Sequence, residues 1–112
     1  MRVLIVEPLR TPYKREIGNN LKSMQKVVGG YIQAIYPFED EEISLICNDE
    51  GKLLGLPFNR TLKDETGAVC DAIAGTFFLC RAPINSDCFA SLTDEQLEFC
   101  KKRFEKIELF IN

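Results

Sequence analysis

The chain contains no histidine. Its absence removes histidine-dependent triads, two-histidine phosphoesterase chemistry and histidine-ligated metal sites together. Covalent chemistry would have to rest on carboxylates, lysine, tyrosine or cysteine, which lowers the expectation of an enzyme. The five cysteines, Cys47, Cys70, Cys80, Cys88 and Cys100, include no C-x-x-C pair and are odd in number. A disulfide framework or a zinc site would be spaced differently, so they read as small apolar residues of a reduced protein. Neither a metal nor a cofactor is expected. No stretch approaches the roughly 20 apolar residues of a membrane helix, so no membrane partner is expected. The apolar start of the chain is broken by Glu7 and Pro8, with no small-residue cleavage site behind it, and a cytoplasmic protein is the expectation. A surplus of basic charge is also lacking: 17 acidic residues face 14 basic ones, a net charge of −3. General nucleic-acid binding is thereby disfavoured, while a local basic pocket for one small anion stays compatible with the composition. Repeats, linkers and low-complexity tracts are missing as well.

What is present is the composition of one folded domain spanning residues 1–112, with 46% hydrophobic and 28% charged residues. Residues 2–6 form a strand-type run, and residues 13–17 can pair as a second strand. Asn19 or Asn20 caps a short helix carrying Leu21, Met24, Gln25 and Val28 at helical spacing, and Gly29-Gly30 ends it. Residues 31–36 and 43–47 read as strands, separated by Pro37 and an acidic loop, Glu39-Asp40-Glu41-Glu42. Residues 48–51 turn the chain and 52–54 are expected to return antiparallel. Residues 55–67 look irregular, with a helical turn near 61–64. Residues 69–81 read as one buried strand. Thr93 with Gln96 is a capping box, and Leu97, Cys100, Phe104, Ile107 and Ile111 trace one face of a final helix. With Phe99 and Phe110 that helix offers a broad apolar surface, which is compatible with a homo-oligomer. The expected fold is α+β: a small, mostly antiparallel sheet of four to six strands with two helices, the C-terminal one longest.

Residues 48–60 carry more hydrogen-bonding groups than a turn requires. Asn48, Glu50, Lys52, Asn59 and Arg60 surround two glycines and a proline. Arginine suits phosphate or carboxylate, and asparagine can read a base edge or a ribose hydroxyl. Arg60 paired with Glu50 or Asp71 to hold the loop accounts for the same residues structurally. Gly30 and Tyr31 lie at the C-terminal end of the first helix, the wrong end for a phosphate cradle. Tyr31 and Tyr36 still offer aromatic faces. An acid/base pair of Glu50 and Asp71 has nothing in the sequence to fix its separation.

The pattern Leu21-x-x-Met24-Gln25-x-x-Val28-Gly29-Gly30-Tyr31-Ile32 is followed by Cys47-Asn48-Asp49-Glu50-Gly51-Lys52. Gly55-Leu56-Pro57-x-Asn59-Arg60 and Asp71-x-Ile73-x-Gly75-Thr76 complete it. In these residues the chain resembles an uncharacterised domain family common in bacteriophages and mobile elements. Members of that family often carry an acid where this chain has Gln33. The resemblance implies no activity. It implies a setting, that of small acidic phage proteins acting in a host bacterial cytoplasm, some of which sequester defence nucleotides. The leading expectation is a non-catalytic protein holding a small phosphorylated or nucleotide-like ligand, with Arg60 and Lys52 on phosphate. Asn48 and Asn59 would read sugar or base and Tyr31 or Tyr36 would stack, with Gly30, Glu50 and Asp71 completing the site. The alternative is a module that binds a host protein through its acidic surface.

Overall fold

A computed structural model describes residues 1–39 and 41–111. Among them the chain order is β1 (Arg2–Val6), β2 (Tyr13–Glu16), α1 (Leu21–Val28), β3 (Ile32–Ile35), β4 (Ile43–Asn48), β5 (Phe58–Lys63), β6 (Val69–Ala74), β7 (Phe77–Arg81) and α2 (Asp94–Phe104). Five strands form one sheet in the order β2-β1-β7-β4-β3, and β5 and β6 form a separate two-stranded hairpin. All pairings between the named strands are antiparallel. The fold is α+β as expected, and α2, at 11 residues, is longer than the 8-residue α1. No helix among the described residues is long and apolar enough to cross a membrane.

The large sheet is covered on both faces, which explains why all six residues of β4 are buried. Strand alternation sends Ile46 and Phe78 toward α1, where Val3, Ile5, Met24 and Val28 join them. The other face carries Leu4, Val6, Leu45, Phe77 and Leu79, which pack on Leu62 and Ile73 of the hairpin and on Leu97, Cys100 and Phe104 of α2. The caps follow the sequence. Asn20 accepts a hydrogen bond from the Ser23 N–H at 2.8 Å, so it, and not Asn19, starts α1. Both halves of the Thr93–Gln96 capping box form at α2. The five cysteine thiols are free, with Cys47, Cys80 and Cys100 buried and Cys70 and Cys88 exposed. Burial pushes Cys47 up to about 11 and both Cys80 and Cys100 up to about 12, which leaves these three unreactive at neutral pH.

Four local expectations are corrected. Residues 52–54 lie in a turn and do not return as a strand; the partner strands of β4 are β3 and β7. Residues 58–63 form β5, with no helical turn near Thr61. Asp64 closes the hairpin instead, its carboxylate accepting from Thr66 Oγ1 at 2.6 Å, Thr66 N–H at 2.9 Å and Ala68 N–H at 3.0 Å. Those bonds, led by the Thr66 hydroxyl, hold the Asp64 carboxyl below the usual range. The single strand expected over residues 69–81 is two strands, broken at Gly75, whose φ of +86° a side-chain-bearing residue rarely adopts. Finally, α2 stops at Phe104, so Ile107 and Ile111 lie beyond the helix. There the chain follows β5: Glu108 accepts from the Thr61 N–H at 3.0 Å and from Thr61 Oγ1 at 2.6 Å, and Phe110 packs on Phe58 with ring centroids 5.5 Å apart.

Candidate functional site

The polar residues singled out in the sequence separate into an interior pair and a surface group. Asn59 and Arg60, at the start of β5, are both fully buried. Asn59 Nδ2 donates to Val6 O at 2.8 Å and Gly75 O at 3.0 Å, which ties β5 to β1 and to the break between β6 and β7. All three nitrogens of the Arg60 guanidinium donate inside the fold. Nε donates to Phe104 O at 3.0 Å, Nη1 to Asn59 Oδ1 at 2.9 Å and Asn59 O at 3.2 Å, and Nη2 to Arg10 O at 2.7 Å. A cation on the last carbonyl of α2 also meets the negative end of that helix. Burial pulls the Arg60 pKa down and the nearby Glu108 carboxylate works against that. An arginine starts so high that it remains charged.

Asn48, at the end of β4, is buried and ties the first helix to the turn that follows it. Its Nδ2 donates to Val28 O at 3.1 Å and its Oδ1 accepts from the Glu50 N–H at 2.8 Å. A Cβ on Gly30 would stand 3.0 Å from that Nδ2, so glycine permits the close approach. Lys52 Nζ reaches Asp71 Oδ1 at 2.7 Å on the surface, and this hydrogen bond, with one from the Ala72 N–H, lowers the Asp71 pKa. The loop-holding ion pair therefore belongs to Lys52 and Asp71, where Arg60 had been considered for it. A narrow cleft of about 240 Å³ beside this pair is lined by Gln33, Asn48, Lys52 and Asp71. Gly30, Tyr31, Asn48 and Glu50 line a separate shallow recess. Asn59 and Arg60 line neither.

The two edges of the large sheet differ in chemistry. The β2 edge, Tyr13–Glu16, carries Lys14, Arg15 and Glu16, all exposed. Charges of this kind discourage another strand from pairing there. The β3 edge, Ile32–Ile35, carries none, and exposed Tyr31 and Tyr36 flank it. The Asp49 N–H donates to Tyr31 O at 2.8 Å, and register then assigns Tyr31, Gln33 and Ile35 to bonding with β4. Alternation turns the N–H and C=O of Ile32 and Ala34, and the N–H of Tyr36, to the open side.

Beyond the C-terminal end of β3 lie two recesses that share Tyr36 and Glu39. One, of about 690 Å³, is lined by Glu41, Glu42, Ile84, Asp87 and Phe89, with no lysine or arginine among the described residues that line it. Glu42 there accepts from the Ile84 N–H at 3.2 Å and lies 3.8 Å from Arg81. The other, of about 930 Å³, lies between the tip of the β5–β6 hairpin and α2, and its apolar lining includes Ile35, Phe38, Cys70 and Phe99. The sequence reading named Tyr36, the acidic loop and, as part of the apolar surface of the last helix, Phe99, but not Ala34 or Asp87. The uncharged run at residues 31–36 was the available signal, yet strand order decides whether such a run is central or at an edge. Asp40 of the acidic loop lies outside the described residues.

The family model described as a domain of unknown function (DUF3846) matches residues 1–105. This agrees with the likeness to an uncharacterised domain family seen in the sequence. No curated protein and no solved structure matches the chain.

Proposed function

Since the chain belongs to the DUF3846 family of domains of unknown function, we propose from its own geometry that it is a non-catalytic protein-binding module. Its working surface is the β3 edge with the acidic recess beside it. The observation that carries this reading is the contrast between the two sheet edges: β2 is charged along its length and β3 is not. In a phage or mobile-element setting such a module would inhibit or redirect a host protein. The test is photo-crosslinking in the cells that make the protein, with a photoreactive residue replacing Tyr36 on one edge or Lys14 on the other. A discrete adduct with another protein is expected from position 36 and none from position 14. Adducts from neither position, or from 14 alone, would overturn the reading.

A second reading, a small phosphorylated or nucleotide-like ligand, keeps some support from the cleft beside Lys52, whose side chain is 57% exposed. It lacks the second cation, because each nitrogen of the Arg60 guanidinium already donates inside the fold. A rise in melting temperature with a mono-, di- or cyclic nucleotide that Lys52→Ala abolishes would favour this reading over the first.

A further inference from the structure

We infer that the β3 edge takes up an extended segment of a partner protein as an additional strand, one whose side chains alternate between basic and apolar. The inference rests on the protein-binding reading and adds the mode of binding and the chemistry of the partner. Strand addition needs three things: free backbone groups along an edge, no charge that repels a pairing strand, and recesses for alternate side chains. The backbone groups of Ile32 and Ala34 and the N–H of Tyr36 face outward, and the edge from Ile32 to Ile35 is uncharged.

The recesses supply the specificity. Successive side chains of an added strand point to opposite faces of the sheet. On the face of Ile32 and Ala34, those alongside Tyr36 at the end of the edge reach the recess lined by Glu41, Glu42 and Asp87. That recess has no basic residue among its described lining, although Arg81 lies 3.8 Å from Glu42. A lysine or arginine of the partner fits that field. On the face of Gln33 and Ile35 they reach the recess lined by Phe38, Cys70 and Phe99, where Phe99 is 42% exposed. An aliphatic or aromatic side chain covers that surface. Tyr36 lines both recesses and stands between the two kinds of side chain. Charge complementarity also weighs against two copies pairing β3 to β3, because that strand is itself uncharged. The β2 edge of a second copy carries Lys14 and Arg15 side by side with Glu16 and lacks the alternation of basic with apolar residues.

The experiment selects random displayed peptides of about ten residues, enough to span a strand, on the immobilised full-length protein. Enriched peptides should alternate lysine or arginine with apolar residues. Ala34→Pro removes only an N–H that faces outward, a position where an edge strand tolerates proline. It should weaken the best synthetic peptide by about tenfold or more, the equivalent of one to two hydrogen bonds. Glu41→Gln with Asp87→Asn should weaken it and flatten its salt dependence. Should Ala34→Pro fail to fold, N-methylation of alternate peptide amides serves in its place, and one of the two methylation frames should abolish binding. Peptides without alternation, or peptides that bind Ala34→Pro as they bind the native protein, would overturn the inference. If crosslinking at position 36 still yields an adduct in that case, the protein-binding reading survives alone. A native dimer in sedimentation that Ala34→Pro dissociates would assign the edge to a second copy, which also overturns it.

Discussion

Replacing Arg60 with methionine should destabilise the fold by about 3–5 kcal/mol and lower its melting temperature by roughly 10–20 °C. Methionine fills much of the volume and supplies no donor. The carbonyls of Phe104, Asn59 and Arg10 and the Asn59 side-chain oxygen would each lose a buried donor. Each such loss costs about 1–3 kcal/mol before water or relaxation recovers part of it. Arg60→Lys should recover little, because one compact ammonium cannot reach four acceptors that diverge around a planar fork. Lys52→Ala is the control. It breaks a half-exposed ion pair with Asp71, for which about 1 kcal/mol or less is expected. Thermal and urea unfolding followed by circular dichroism measure both. A methionine variant that melts with the native protein would mean that the buried guanidinium does not hold the fold together.

Phe104→Ala should cost about 3–5 kcal/mol, the range for deleting a buried phenylalanine ring. Phe104 is 1% exposed and closes α2 against the sheet. Its ring meets Phe77 edge-on at 5.3 Å and Phe38 at 6.2 Å, while the Arg103 guanidinium lies over it at 5.1 Å. Deleting the ring leaves a cavity where α2, the central strand β7 and the loop after β3 meet. Phe104→Leu should lose much less, since most of the volume remains. Phe99→Ala, at a half-exposed ring 5.0 Å from Phe38, should change stability little. The Phe104 carbonyl is also an Arg60 acceptor. The two core substitutions are therefore neighbours, and their combined effect should not be additive. Unfolding curves of the three phenylalanine variants check the order.

These two residues also mark where the sequence is readable and where it is not. Local signals survive intact: Asn20 and Thr93 cap their helices, and the apolar runs of β1, β4 and β7 became buried strands. Those features depend on near neighbours or on unbroken apolar stretches. β5 was obscured because two of its buried positions are Asn59 and Arg60, and a hydrophobic pattern treats such residues as surface. Their partners, Val6, Arg10, Gly75 and Phe104, lie far away in the chain. Helical periodicity likewise ran on through Ile107 and Ile111, while the bonds from Thr61 to Glu108 draw the chain out beside β5.

The candidate site illustrates the same limit. Residues 48–60 were singled out for their density of amides and charges, and much of that density is spent inside the molecule. Asn48 secures a turn, while Asn59 and Arg60 join three parts of the core. A strand such as β3 gives no local sign that it lies at an edge, since its neighbours are set by the order β2-β1-β7-β4-β3. Once that order is known, the absence of charge along Ile32–Ile35 becomes informative.

The claim that this bare edge is where the domain engages its partner is tested most directly by amide hydrogen exchange, with and without a peptide selected on the native protein. Exchange at Ile32, Ala34 and Tyr36 should slow markedly on binding, while exchange at Lys14 and Arg15 on the opposite edge stays unchanged. Unaltered exchange at those three amides, with protection gathering instead around Lys52 and Asp71, would contradict it.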